Sequence, residues 1–370
     1  MLNIRLSFSN KTKLLLSLLL IFNLTACEGI FSFENWTSDD DECDEDTTSV
    51  TFKQVAYWLE DDINDFEDID DDDNDIDYNQ LTHLIFGYVE VNADGSFDLN
   101  SNGTLSDIDD NDTFIGIIEA IQDEGVEVFL SIGGEDSTSN LKTIAADDDL
   151  SDDFVDNVID LVDEYGLDGI DLSWQFPEDD DEGELFEDLV AELSSELENE
   201  GVTFSIEVVS GLDDEEDPAD VISSDVFDDV DFVNVRAFNA NDYDDLYLTT
   251  DDFLDVIDYW TDRCLIQNKL VVGIPVYATG DNDTSYTYAE VLDEKGEGSA
   301  ACDDDDRVSI DGDYYYFNAI PTVIEKAAYA ETYAGGVMLM SLDQDYNQDP
   351  DYSLLNAIYD EVEGNDTVCD

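Results

Sequence analysis

Polar and apolar side chains alternate over residues 168 to 177, a stretch that reads Asp-Gly-Ile-Asp-Leu-Ser-Trp-Gln-Phe-Pro. On an extended strand successive side chains point to opposite faces, so Asp171, Ser173 and Gln175 would share one face. Of these three groups the carboxyl group can transfer a proton, whereas the amide of Gln175 can only form hydrogen bonds. In folds that alternate strands and helices, the chemistry lies at the carboxyl ends of the strands. The stretch therefore marks a candidate site.

The rest of the chain supplies the elements that would position this row. Apolar runs predict strands over residues 51–58, 81–91, 126–130, 168–175, 202–209, 230–238, 269–277 and 336–342. Apolar residues at helical spacing predict helices over residues 114–123, 151–166, 185–201, 252–262 and 321–332, with Ser151 as the N-cap of the second. Eight strands in alternation with helices predict an α/β fold, a (β/α)8 TIM barrel formed by a single domain.

The charge of the chain limits its partners. It carries 99 acidic and 11 basic residues among 370, a formal net charge of −88. Such a surface repels phosphate backbones, so we expect no nucleic-acid partner. Saline surroundings would screen the self-repulsion, and a general enrichment in Asp without functional meaning is the alternative; both explanations stay open.

The N-terminal segment has the layout of a secretory signal. The apolar run from Leu14 to Phe22 is too short to span a membrane. It is followed by Leu-Thr-Ala-Cys at 24–27, which resembles the lipobox of bacterial lipoproteins and implies lipidation of Cys27. An ordinary signal peptide is the alternative. We expect an exported lipoprotein anchored in a bacterial cell envelope, in the outer membrane or at the cell surface.

The predicted organisation has four parts. Residues 1–26 form the lipoprotein signal, 27–50 an acidic tether, 51–363 the barrel and 364–370 a C-terminal tail. The cysteines other than Cys27 are an even set of candidates for disulfides in an exported chain: Cys43, Cys264, Cys302 and Cys369. Because chain termini often lie close together, we favour Cys43 with Cys369 and Cys264 with Cys302 among the three possible pairings.

The sequence predicts no metal site and no cofactor. None of the cysteine pairs has the close spacing of zinc ligands, and the one histidine, His83, lies far from them in sequence. A lone histidine in an apolar strand is more often a core residue than a catalyst. The acidic run at 70–77 lacks the glycine and the final Glu of an EF-hand loop, so a solvated loop is favoured over a calcium site.

Five segments together resemble motifs of the family 18 glycoside hydrolases, the chitinases and their chitinase-like relatives. The segments at 131–134, 168–175, 235–239, 273–277 and 335–340 are similar, in that order, to S-x-G-G, D-G-x-D-x-D-x-E, M-x-Y-D, G-x-P-x-Y and G-G-v-m-x-W. The resemblance extends over about residues 55–345. It implies a barrel whose site lies at the carboxyl ends of the strands.

The resemblance also implies a mechanism, which this chain departs from. Family enzymes use a glutamic acid to protonate the glycosidic oxygen while the N-acetyl group of the substrate attacks. The position of that acid is held by Gln175, which has no proton to transfer. Ser173 replaces the carboxylate that orients the acid and the acetamido group. Asp168 and Asp171 are the acidic residues of the motif that remain.

The resemblance places further residues in a substrate-binding site, several of them altered. The candidates are Tyr57, Trp174, Arg236, Phe238, Asn239, Tyr277 and Met340. Phe238 lacks the usual tyrosine hydroxyl, and Met340 replaces the Trp that floors the sugar site. Arg236 stands where Met is usual, and a buried cation needs a partner. We expect that partner to be Glu207, with Asp171 as the alternative.

Two functions follow from this pattern. The first is an exported, lipid-anchored chitinase-like protein that does not hydrolyse, and that binds chitin-like N-acetylglucosamine glycans at the barrel mouth or serves as a surface scaffold. Its expected partners are a carbohydrate and, through the lipid, a membrane. The alternative is an active glycoside hydrolase with a relocated acid, for which Glu178 and Glu135 are the candidates.

Overall fold

The computed structural model describes residues 43, 51–59, 76–97, 111–212, 217–238, 249–280, 284–303 and 306–369. The chain divides into two units, Met1–Cys43 and Asp44–Asp370, and the second contains the barrel. The predicted signal, Cys27, nearly all of the tether, the acidic run at 70–75 and Asn239 lie outside the described residues. What was expected of them stays a prediction.

Eight parallel strands close into a barrel, which confirms the predicted fold. In chain order they are β1 (Lys53–Trp58), β2 (His83–Val89), β3 (Glu127–Gly133), β4 (Gly169–Ser173), β5 (Thr203–Val209), β6 (Phe232–Arg236), β7 (Leu270–Pro275) and, after a smaller sheet, β12 (Gly336–Met340). β12 pairs with both β7 and β1, so the sheet has no open edge. The strands are rich in apolar residues on both faces because one face lines the barrel and the other packs on helices.

Helices surround the barrel, and the predicted ones are present with shifted ends. They are α1 (Asn111–Asp123), α2 (Thr138–Ala145), α3 (Asp148–Tyr165), α4 (Asp180–Glu200), α5 (Thr250–Asp262), α6 (Tyr288–Lys295), α7 (Glu297–Ala300), α8 (Ile320–Tyr333) and α9 (Leu354–Glu363). None of these described helices has both the length and the apolar character that a membrane crossing needs.

The predicted N-cap of α3 is wrong by four residues. Asp147 caps the helix, its carboxylate accepting from the backbone N–H of Leu150. Ser151 lies within the helix, where its hydroxyl donates to Glu192. The error arose because Asp147 is as good a cap as Ser and the acidic residues between them are compatible with a first helical turn. The predicted end at Gly166 is correct, since this residue adopts the left-handed conformation.

A four-stranded antiparallel sheet lies between β7 and β12 in sequence and was not predicted. It is built from β8 (Tyr277–Gly280), β9 (Ser285–Thr287), β10 (Arg307–Ile310) and β11 (Asp313–Tyr316). Tyr277, expected at the end of the seventh barrel strand, begins this sheet instead. The barrel strand stops at Pro275, which lacks the N–H that the ladder would need.

The disulfide pairing inferred from the sequence is wrong. Cys302 is bonded to Cys369, and Cys43 and Cys264 are also disulfide-bonded. The C-terminal tail does not run back to the start of the barrel: residues 366–368 lie against α8 and α9. There the sulfur of Cys369 also approaches the carbonyl oxygen of Ala301, at 3.8 Å. Proximity of the chain ends was therefore the wrong guide, because the smaller sheet and its helices lie next to the tail.

His83 is a core residue, as predicted. It is 8% exposed, and its ring packs edge-on against Phe129 and Phe232 at 5.5 and 5.0 Å. Its Nδ1 lies 2.7 Å from the hydroxyl of Thr82. Burial, with a smaller contribution from Lys53, lowers the pKa of His83 to about 4, so the ring is neutral at physiological pH.

Two glycines at the end of β3 allow the backbones of β3 and β4 to meet closely. Gly133 and Gly134 have φ of 128° and 82°, and the N–H of Gly134 donates to the carbonyl oxygen of Ser173 at 2.8 Å. A Cβ on Gly133 would lie 2.1 Å from that oxygen. Glycine at the strand end thus permits a close approach, and the approach fixes the backbone of Ser173.

The Gly133→Ala substitution should lower the free energy of unfolding by about 2 to 4 kcal/mol, because the added carbon meets a backbone oxygen and the positive φ is strained for Ala. Urea unfolding followed by circular dichroism measures the change. Gly116→Ala is the matched control: nothing lies within 4 Å of its added carbon in the middle of α1, so it should stabilise by about 0.5 to 1 kcal/mol. Equal effects of the two substitutions would contradict the close approach.

Candidate active site

Polar side chains from six neighbouring barrel strands, and one just beyond β4, meet inside the barrel. They form two clusters. The Asp171 cluster contains Tyr57, Ser131, Asp171, Ser205 and Asn234, and the Glu207 cluster contains Tyr88, Ser173, Gln175, Glu207 and Arg236. β4, β5 and β6 each contribute two residues that are two positions apart, since alternate side chains of a barrel strand point inward. The predicted polar row of Asp171, Ser173 and Gln175 is therefore shared between the two clusters.

The Asp171 cluster is fully buried, and both oxygens of its carboxyl group accept hydrogen bonds. The Oδ2 atom of Asp171 accepts from the hydroxyl of Tyr57 at 2.9 Å and from that of Ser131 at 2.7 Å. Its Oδ1 atom accepts from Ser205 at 2.7 Å and from the Asn234 amide at 3.2 Å. β4 lies between β3 and β5 with Asp171 in register with both serines, which explains why their hydroxyls reach it. Four donors fix this carboxyl group.

The Glu207 cluster contains a second buried carboxylate, 1% exposed, on β5. Tyr88 donates to both of its oxygens at 3.2 Å, and the hydroxyl of Ser173 donates to its Oε2 atom. The amide nitrogen of Gln175 lies 3.0 Å from Oε2. Arg236 completes the set with its Nε atom 3.5 Å from Oε1. This confirms the expected pair of Arg236 with Glu207.

The orientation of the Gln175 amide follows from its neighbours. A carboxylate only accepts hydrogen bonds, so the NH2 group of Gln175 must face Glu207. The same nitrogen donates to the hydroxyl oxygen of Ser173 at 2.9 Å. The backbone carbonyl of Gln175 accepts from Thr138 at 2.8 Å, which holds this residue at the tip of β4. The amide nitrogen is thus directed at two protein oxygens, and the side-chain carbonyl oxygen faces away from them.

Aromatic rings lie on both sides of the Arg236 guanidinium. The ring centre of Phe176 is 5.8 Å and that of Phe238 is 5.3 Å from its central carbon. At these distances the rings attract the cation. The Arg236 side chain is 30% exposed, whereas that of Glu207 is inaccessible. Burial is the largest effect and lowers the pKa of Arg236, but Glu207 together with the nearby tyrosines outweighs it, so the net shift is upward and the guanidinium stays charged.

The comparison with protein families decides what this barrel is. The family model described as "Glycosyl hydrolases family 18" matches residues 53–345, most of the chain. The chain belongs to the glycosyl hydrolases of family 18. A curated relative, "Probable chitinase 10" of Drosophila melanogaster, is 28% identical over 229 residues. The match covers 55% of this chain but 10% of that protein.

Solved structures share the fold at low sequence identity. A chitinase from Bacteroides thetaiotaomicron superposes with a TM-score of 0.69 at 21% identity, over 84% of this chain and 96% of that one. A glutamate-to-glutamine mutant of the class V chitinase from Nicotiana tobaccum, in complex with NAG4, gives a TM-score of 0.68 at 18% identity, over 84% and 99% of the two chains. At such identities the likeness supports the fold alone.

The structure separates the residues that the family 18 resemblance placed in the substrate site. Phe238 and Met340 lie in the apolar cluster inside the barrel, each 4% exposed, together with Tyr57, whose hydroxyl is used by Asp171. Tyr277 is half-buried at the start of β8. Contact of any of these four with a ligand stays a prediction.

The prediction for Trp174 is wrong. Its side chain is fully buried and belongs to the core between the strands and the outer helices. There it packs edge-on against Phe186 of α4, at 5.9 Å between ring centres. The physical reason is the alternation itself: Trp174 lies between two inward-facing residues and therefore points outward. Trp174 therefore packs on the outer face of β4, opposite the polar clusters.

The two candidates for a relocated family 18 acid lie away from the clusters. Glu135 begins a short 3-10 helix after Gly134, and Glu178 follows the strand tip; both side chains are exposed. Among the described residues neither makes a hydrogen bond or an ion pair with either cluster. Their pattern is that of solvated loop residues.

Ser131, Ser205 and Asn234 were not identified as site residues from the sequence. A signal was present, because Ser205 and Glu207, like Asn234 and Arg236, are polar residues two apart on otherwise apolar strands. The same period-two pattern had marked Asp171 and Ser173.

In the described part of the chain, no three His, Cys, Asp or Glu side chains form a group that could hold a metal ion.

The buried Asp171 carboxyl should make stability depend on pH. Burial, and next the nearby Glu207 carboxylate, raise its pKa from 3.8 to about 6 against the opposing effect of the hydroxyl donors. The folded protein thus holds this proton to a higher pH than the unfolded chain. As the pH rises from 4 to 6, the wild type should lose about 2 kcal/mol of unfolding free energy relative to Asp171→Asn. Urea titrations at pH 4, 5, 6 and 7 measure this difference, and parallel curves would contradict it.

The Ser173→Asp substitution, which would restore the residue usual in the family, should be destabilising by about 3 kcal/mol at pH 7, because it places a second carboxylate against Glu207 in a buried site. Adding Glu207→Gln should recover most of the loss, since one carboxylate then remains to face Arg236. Thermal unfolding measures the effect, with Ser173→Asn as the uncharged control. Equal stability of Ser173→Asp and Ser173→Asn would contradict the expected repulsion between carboxylates at positions 173 and 207.

Proposed function

We propose that this family 18 protein binds N-acetylglucosamine-type glycans at the carboxyl ends of the barrel strands without hydrolysing them, as an exported protein held at a membrane by a lipid on Cys27. The observation that carries the proposal is the state of Gln175. It occupies the position that the family motif gives to the catalytic acid, has no proton to transfer, and directs its amide nitrogen at Ser173 and Glu207 inside the protein.

The other carboxyl groups near the strand ends support the absence of hydrolysis. Glu207 is inaccessible and is paired with Arg236, so it lacks both a path to the ligand and a proton to give. Asp171 is buried and fully hydrogen-bonded below the mouth. Glu135 and Glu178 are exposed on loops. A general acid must lie within hydrogen-bond reach of the oxygen that it protonates, so burial argues against Glu207 and Asp171, and the loop positions argue against Glu135 and Glu178.

Two observations support glycan binding. The tobacco structure is a mutant in which a glutamate has become glutamine, and it holds NAG4. Loss of one carboxyl group in this fold is therefore compatible with a bound glycan in that protein. In the present chain, the partly exposed Phe176 and Tyr277 offer aromatic surface around the strand ends, and sugar rings pack on such faces.

Membrane attachment is supported by the sequence. The apolar run before Cys27, the small residues that precede the cysteine and the acidic stretch after it have the layout of a lipidated, tethered domain. Metabolic labelling with a palmitate analogue, compared between wild type and Cys27→Ser, tests the anchor. Equal labelling of the two proteins would remove this part of the proposal.

Wild-type protein should release no more fluorophore from a fluorogenic chitobioside than a blank without protein. The Gln175→Glu variant should release it at a rate roughly 100-fold or more above that blank. The new carboxyl group would lie about 3 Å from Glu207, and two carboxyl groups at that distance share a proton, which keeps one of them in the acid form near neutral pH. The fluorescence assay at pH 5 to 8 measures the gain.

Gln175→Met is the control, because it has similar size but no ionisable group. Release by the wild type that disappears in Glu178→Gln or Glu135→Gln would overturn the proposal and favour an active hydrolase with a relocated acid. Calorimetry with chito-oligosaccharides tests the binding half directly. Affinity no greater than that for unrelated sugars would favour a surface scaffold instead.

A further inference from the structure

We propose that the barrel mouth selects saccharides that carry a carboxylate, and that Arg236 is the residue that binds the carboxylate. The inference rests on the proposed glycan binding and adds the chemical class of the ligand. The chitin-like glycans expected from the family are uncharged, so a ligand with a negative charge would set this protein apart.

The first observation is that Arg236 is only partly used by the protein. Its recorded partner is Glu207, reached through Nε at 3.5 Å, which is longer than a normal N–H···O bond. Within the described residues, no acceptor forms a hydrogen bond with its terminal Nη1 and Nη2 groups. A pair that served only to neutralise Glu207 would gain more from two parallel N–H···O bonds. The terminal edge of the guanidinium is therefore available.

The second observation is that the guanidinium is held in place without being covered. Phe176 and Phe238 flank it at 5.8 and 5.3 Å, and Glu207 holds its Nε side. The side chain remains 30% exposed. A fixed, flat cation with a free edge matches the two oxygens of a carboxylate, to which arginine binds through parallel hydrogen bonds.

A carboxylate would be a better partner than a neutral sugar hydroxyl for the free edge of the Arg236 guanidinium. Charge-assisted hydrogen bonds are about twice as strong as those between neutral groups. A neutral sugar hydroxyl could satisfy one N–H, whereas a carboxylate satisfies two and offsets the lost hydration of the cation. The nearby carboxylate of Glu207 does not compete for this edge, because it lies on the Nε side.

The net charge of −88 opposes an anionic ligand at long range, so the salt concentration matters. At 1 M salt the Debye length is about 3 Å, which removes most of the repulsion from distant surface carboxylates. A contact at the half-buried Arg236 is screened much less. The test should therefore be made at high salt.

The experiment uses a matched pair of probes: the tetramer of N-acetylglucosamine, and the same tetramer oxidised at carbon 6 to carboxylates. Calorimetry in 1 M KCl should show about tenfold or tighter binding of the oxidised tetramer by the full-length protein. The readout is the ratio of the two dissociation constants. In Arg236→Met this ratio should fall to about one.

Because Arg236→Met leaves Glu207 buried without a cation, the double variant Arg236→Met/Glu207→Gln is measured as well, with thermal unfolding as the check on folding. Arg236→Lys should keep part of the preference, since it retains the charge but loses the fork of two N–H groups. Arg263→Met is the matched control: Arg263 also lies over an aromatic ring, Tyr259, and pairs with Asp220, but away from the two clusters. It should leave the ratio unchanged.

The outcomes separate this inference from the proposed function. Equal binding of both tetramers by the wild type would overturn the carboxylate preference and leave glycan binding standing. A preference that persists in the double variant would also overturn it, since Arg236 would not be its source. Failure of both tetramers to bind would overturn the inference together with the glycan-binding proposal.

Discussion

A buried carboxylate on the fifth strand is the constraint on which the rest of the site depends. Glu207 is inaccessible inside an apolar barrel, where an unpaired charge would be very unfavourable. It is tolerated because Arg236 supplies the opposite charge and Tyr88, Ser173 and Gln175 supply donors. The departures from the family pattern at 173, 175 and 236 all contact this one group. The need to pair this one buried charge links the three positions.

The same constraint explains which part of the site retains the family pattern. The Asp171 cluster has its own donors on neighbouring strands and needs nothing from Glu207, so its geometry persists. The cluster nearer the mouth is different, because a second carboxylate at 173 or 175 would lie against Glu207. A serine and an amide are uncharged and can donate, so they fit where carboxylates would repel.

The sequence was sufficient for the barrel because each strand is a long apolar run with a helix or a turn signal beside it. The Arg236–Glu207 pair could also be predicted from the sequence, because a buried cation requires a carboxylate and Glu207 lies on the adjacent strand. The smaller sheet escaped prediction since strands of three or four residues carry too little periodicity. The disulfide was missed for a related reason: the partner of Cys369 depends on where that sheet lies.

At the strand ends, a hydrogen-bond acceptor and a cation lie where hydrolysis of a glycosidic bond requires a proton donor. A general acid presents a donor to the glycosidic oxygen, but Gln175 directs its amide nitrogen towards Ser173 and Glu207 and leaves its carbonyl oxygen on the other side. That oxygen can accept from a sugar hydroxyl, while the donor facing the mouth is the cation of Arg236. A bound ligand would thus meet an acceptor where the family places its acid and a positive charge where the family places methionine. This arrangement favours holding an oxygen-rich, negatively charged group over protonating a leaving group.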